Sequence, residues 1–229
     1  VHTALDNDNR AGPHSLGFES VIGFDDIFLL PGAGLRRNVP QKCELVTYVS
    51  KGALLQEDSE DRLQTLSAGD FQLKSATLFE GRAEKNASKT DPVHFFRIAL
   101  RNLESAPDDV CERKHLSMAE RKDRLRVAVS KDGRDGSLRV HCDIVILTAV
   151  LSVGRHIVYP LSQDRNAWLH IVRGEAALFD SMLTAGDGVG IRFEPAVSFT
   201  AMEETEILLM DVKPKVEPIP GVEILARFL

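Results

Sequence analysis

At 229 residues and net charge −6, with acids and bases interspersed, the chain is long enough for two domains of about 100 residues and poorly suited to non-specific binding of nucleic acid or anionic membranes. Its longest apolar run, Ile144 to Val153, falls far short of the roughly 18 residues a membrane span needs. Cys43, Cys111 and Cys142 are widely spaced and show no CxxC pair or disulfide framework, so a reducing, cytoplasmic setting is expected.

The first seventeen residues are polar, lack the apolar core of a secretory signal and read as an arm. Phe18 to Phe28 alternates loosely and predicts one or two short strands, closed by the turn Pro31-Gly32-Ala33-Gly34. Asn38 to Gly52 runs from a loop into a strand rich in Val, Thr and Tyr and ends in a glycine turn. Short strands follow at Leu54–Asp58, Leu63–Leu66 and Phe71–Leu73, with a turn at Ser67-Ala68-Gly69-Asp70. His94 to Leu100 is strongly apolar and reads as a buried strand.

Composition then changes. Arg101 to Arg126 is dense in charge and reads as a linker, which divides the chain into domains at 1–103 and 127–229 with 104–126 between them. Within it, Ser117 and Glu120 have capping-box spacing for a helical turn over Met118 to Leu125. Lys131 to Gly136 carries two Asp/Gly turn signals and predicts a hairpin. Strands follow at Leu138–His141, Ile144–Ser152, His156–Leu161, Ala167–Val172, Glu175–Phe179, Gly188–Phe193, Val197–Ala201 and Ile207–Val212. Three prolines keep Lys213 to Pro220 out of any central strand; Val222 to Leu229 reads as a last strand or short helix. So many short strands with regular turns predict an all-β fold of barrels or sandwiches.

The two halves repeat. Tyr48-Val49-Ser50-Lys51-Gly52 matches His170-Ile171-Val172-Arg173-Gly174, and Leu66-Ser67-Ala68-Gly69-Asp70 matches Leu183-Thr184-Ala185-Gly186-Asp187, in the same order. A duplicated barrel follows.

These residues carry a resemblance. Glu44 to Val49 with Gly52, Ala68-Gly69-Asp70-Phe71-Gln72, Asp132-Gly133-Arg134-Asp135-Gly136-Ser137-Leu138 and Glu206 to Asp211 resemble the pirin family of bicupins, over about residues 5 to 213. The resemblance implies two cupin barrels of the double-stranded β-helix, or jelly-roll, type. It also implies one metal in the first barrel, held by a His-Pro-His segment, a further His and a Glu. Some members are quercetin 2,3-dioxygenases; others are described as transcriptional co-regulators. This chain departs from the pattern: Asn38-Val39-Pro40 stands at the His-Pro-His places, Arg82 at the third His and Glu84 at the Glu. Proline cannot coordinate, and arginine stays protonated.

No metal cofactor is therefore expected, the alternative being a divalent transition metal such as iron on non-standard ligands. The chain resembles the metal-less, redox-sensitive branch of the family. The expected function is regulatory, redox-responsive or small-ligand-binding rather than catalytic, with a quercetin 2,3-dioxygenase-like enzyme as the alternative. Candidate ligand-binding residues are Asn38, Glu44, Lys74, Arg82 and Glu84, the guanidinium of Arg82 either pairing structurally with the acids or holding a small anionic ligand. An aromatic ligand and a protein partner are further candidates. Cys111, beside Arg113, Lys114 and His115, is the candidate redox thiol. His94 and His170 read as core; His141 and His156 lack a carboxylate pattern and carry no metal site.

Overall fold

The computed structural model describes residues 2–6, 17–36, 43–57, 63–75, 83–101 and 110–214, the side chains of 2–6 excepted. Asn38, Arg82, the polar segment 102–109 and the tail 215–229 lie outside them. The fold is all-β and falls into two compact units.

The first unit holds β1 (His2–Asp6), β2 (Val21–Leu29), β3 (Gly34–Arg36), β4 (Cys43–Lys51), β5 (Ala53–Glu57), β6 (Leu63–Ser67), β7 (Asp70–Ser75), β8 (Ala83–Asn86), β9 (Val93–Arg101) and β10 (Cys111–His115). They form a six-stranded sheet, β1-β2-β9-β4-β7-β10, and a four-stranded sheet, β3-β8-β5-β6. Ile27, Val49, Val93 and Phe95 of the larger sheet pack on Leu54 and Leu66 of the smaller one. Cys111–His115 thus lies in the segment read as linker but pairs along β7 as an edge strand.

The second unit begins in chain order with residues of the N-terminal arm, which belong with it rather than with the first half. Phe18 packs edge-on against Trp168 with ring centroids 6.0 Å apart, and Asn166 Nδ2 donates to Gly17 O at 3.1 Å. Its elements are α1 (Met118–Arg121), β11 (Arg126–Ser130), β12 (Leu138–Arg139), β13 (Ile144–Leu151), β14 (His156–Pro160), β15 (Asn166–Arg173), β16 (Glu175–Leu178), β17 (Ser181–Thr184), β18 (Gly188–Ile191), β19 (Ala196–Ala201) and β20 (Thr205–Val212). The sheets are β12-β11-β13-β20-β15-β18 and β14-β19-β16-β17. The capping box is present: Glu120 N donates to Ser117 Oγ at 3.3 Å and Ser117 N to Glu120 Oε2 at 2.8 Å.

The expected hairpin at Lys131 to Gly136 is different in the structure. β12 runs parallel to β11, with Val129 opposite Leu138. Ser130 Oγ bonds Asp132, Gly133 N and Ser137 Oγ, and Gly133, Asp135 and Gly136 all take positive φ. These local side-chain bonds carry the chain round too far for a two-residue antiparallel turn.

The sequence repeat is also a structural one. β4 and β15 bulge at the same place, after Val49 and Ile171. The Ala-Gly-Asp turns close alike: Ser67 N donates to Asp70 Oδ2 at 2.6 Å and Thr184 N to Asp187 Oδ2 at 2.8 Å. Asp70 is buried and also takes bonds from Arg113 and His115. Burial alone would raise its pKa. The bonds from Arg113, Ser67 N–H and His115, with the charge of Arg113, outweigh burial and hold the carboxyl below the usual range. A depressed folded pKa gives stability above the unfolded value of about 3.9 that is lost as pH falls through the folded one. Asp70→Asn is expected to cost about 1–3 kcal/mol at neutral pH. The gap to wild type should begin to narrow in thermal melts as pH falls below about 4 and go on closing towards the folded pKa; a gap unchanged at low pH would contradict this.

Candidate functional site

Strand alternation decides what lies between the two sheets of the first unit. Leu45 stands opposite Lys74, and Thr47 stands between Gln72 and Arg97. In the smaller sheet, Gln56 stands opposite Glu84. Hydrogen bonds across the gap show that these side chains meet inside. Lys74 Nζ donates to Gln56 Oε1 at 3.1 Å, and Gln56 Nε2 donates to Glu84 Oε1 at 2.7 Å. Glu84 Oε2 is ion-paired with Arg97 Nη2. Gln72 Nε2 reaches Gln64 Oε1 at 3.5 Å. Lys74, Gln56, Glu84, Arg97, Thr47 and Gln72 are all buried, none more than 3% exposed.

The second unit supplies an internal control. Carrying the two registers over each other places Leu169 at Thr47, Val189 at Gln72, Ile191 at Lys74, Leu209 at Arg97, Leu178 at Gln56 and Phe199 at Glu84. All six residues of the second unit belong to its apolar core. The fold therefore closes without polar groups at these places. Burying an ion pair is no gain over burying well-packed apolar residues, so stability gives no reason for the polar set in the first unit.

Of the candidate residues, Lys74 and Glu84 come together in this interior, joined through Gln56. Glu44 does not. It stands opposite Ser75, one residue out of step with Leu45 and Lys74, and so faces the other side of the larger sheet. That side holds the aromatic stack of Tyr48 on Phe71, centroids 4.2 Å apart, and of Phe24 on Phe96, 5.8 Å. Cys43, by the same alternation, falls on the inner side and packs with Leu45 and Ala99. Cys111 is exposed on β10, opposite Lys74 in the register. His156 bonds Thr200 Oγ1 at 2.9 Å in the second unit. Among the described residues no three of His, Cys, Asp and Glu gather as a metal site would require.

Arg97 is the residue that sequence reasoning missed. A signal was present: Val93, Phe95, Arg97 and Ala99 share one face of a strand with an apolar pattern, so a lone arginine there is an interior arginine. Among the described residues, the donor set around Glu84 does not fit a transition metal. Its carboxylate is engaged by Arg97 and Gln56, and the guanidinium of Arg97 has no lone pair to give. What the arrangement offers is a buried set of polar and charged side chains, hydrogen-bonded across the gap between the two sheets.

Comparison with known proteins gives a consistent set of relatives. The family model of the Quercetinase C-terminal cupin domain matches residues 127–212. Quercetin 2,3-dioxygenase of Escherichia coli K12 is 28% identical over 206 residues, covering 90% of this chain and 88% of the relative. The pirin-like protein YhaK of the same organism is 25% identical over 205 residues, covering 87% and 86%. Among solved structures, the bacterial pirin YhhW of Escherichia coli in complex with nickel(II) superposes with a TM-score of 0.79 at 26% identity, covering 93% of this chain and 90% of that one.

Proposed function

Since the chain belongs to the pirin family of bicupins, we propose that it is a metal-free, non-catalytic member whose first unit binds a small ligand in its interior. One observation carries this reading. Six interior positions that are apolar in the second unit are polar or charged in the first, and the fold has no need of them. Buried polar groups without a structural purpose mark a functional site. The substitutions at the family's metal places support the same reading. Asn38, Pro40 and Arg82 take the places of three histidines, and Glu84 is already bound by Arg97 and Gln56.

The alternative is quercetin dioxygenation, the activity named for the Escherichia coli relative. Incubating the purified chain with quercetin in the presence of added nickel(II) or iron(II) separates the two. The expected result is no oxygen uptake above the protein-free control. Sustained, protein-dependent turnover with either metal would overturn the proposal.

A further inference from the structure

Two uncharged side-chain oxygens buried in this interior stand open. Thr47 Oγ1 and Gln72 Oε1 have no hydrogen-bond partner among the described residues, and their side chains are 1% and 2% exposed. They are register partners on β4 and β7, so they stand side by side on the inner face of the larger sheet. A buried polar atom left unmatched is costly, and such atoms are uncommon in native proteins.

The surroundings narrow what would match them. Arg97 lies next to Thr47 on β9, and Lys74 follows Gln72 on the same side of β7. The nearby carboxylates are committed. Glu84 is held by Arg97 and Gln56, and Asp70 by Arg113, His115 and Ser67 N–H. Asp25, the register partner of Arg97 on β2, shares its inner face one strand further from Thr47 and is itself engaged. The open pair is thus a hydroxyl able to donate and a carboxamide oxygen able to accept, beside two cationic side chains. A matching ligand carries an anionic acceptor group and, close to it, its own hydroxyl. Apolar residues flank the open pair along the strands, Val49, Leu54 and Phe95 at one end and Leu45 and Ala99 at the other. That keeps the ligand short.

We propose that the interior of the first unit binds a short hydroxycarboxylate. Its carboxylate accepts from Thr47 Oγ1 on the side of Arg97 and Lys74, and its hydroxyl donates to Gln72 Oε1. The proposal rests on the ligand-compartment reading above and names the chemical class of the ligand.

The test is calorimetric titration of the full chain with three probes of similar size: lactate, propionate (no hydroxyl) and 1,2-propanediol (no carboxylate). Lactate is expected to bind at least tenfold more tightly than either of the others. Thr47→Val and Gln72→Leu are expected to weaken lactate at least tenfold while melting no lower than wild type, because Leu169 and Val189 fill these places in the second unit. Equal affinity for all three probes, no lactate binding, or variants that bind lactate as wild type does would each overturn the proposal. Binding of the diol better than lactate, weakened by both variants, would overturn the ligand class and leave the compartment reading standing. Metal-dependent quercetin turnover would remove both. The comparison of probes on the wild-type chain holds even if a variant fails to fold.

Discussion

Arg97→Leu is expected to destabilise the first unit by about 3–5 kcal/mol, the usual cost of leaving one member of a buried ion pair alone. Glu84 is 1% exposed and would keep one neutral partner, Gln56, for a charge that Arg97 now balances. The carboxylate would then take up a proton or draw in water. The same substitution made together with Gln56→Leu and Glu84→Phe should recover most of the loss. These are the residues of the second unit, Leu209, Leu178 and Phe199, which pack there as core. Urea denaturation of the single and triple variants measures both quantities. A triple variant no better than the single one would mean that the polar set is required for folding, and the inference from the second unit would fail.

Gly174→Ala carries the other large expected effect, a loss above roughly 3 kcal/mol from backbone strain and overpacking together. Gly174 has φ +90, and a Cβ there would meet Glu204 O at 2.5 Å and Thr205 Cα at 2.7 Å. Both obstacles are main chain and cannot swing away. Gly186 is the control. Its φ is +92, but a Cβ would meet nothing within 4 Å. Gly186→Ala should therefore cost only the left-handed term, about 1–2 kcal/mol. Equal losses in the two variants would show that close approach at the glycine after β15 is not what constrains it.

The strand pattern of this chain was readable in its sequence because alternation and turn chemistry are local. Val46 to Val49, the Ala-Gly-Asp turns and the Ser117–Glu120 capping box each follow from near neighbours. The arm was harder. Phe18 sorts with the second unit through Trp168, a partner far along the chain that no local pattern announces. The loop after Ser130 misled for a related reason. Its Asp/Gly spacing suits a hairpin, but the hydroxyl of Ser130 gathers the turn into a parallel return.

The site was half legible. Lys74 and Glu84 could be named, but which side of a strand a residue faces needs the register, and one step of register separates Glu44 from Leu45. Arg97 is hard to single out because the strand around it is otherwise almost wholly apolar. The decisive contrast, Arg97 against Leu209 and Glu84 against Phe199, appears only once the repeats are aligned strand by strand beyond the two matching sequence blocks.

Metal content is the most direct test of the central claim, that the first interior is a polar compartment and not a transition-metal site. Elemental analysis of tag-free chain, purified beside Glu84→Gln, should find nickel, iron and copper well below one equivalent per chain and no difference between the two proteins. About one equivalent in wild type that disappears in Glu84→Gln would contradict the account.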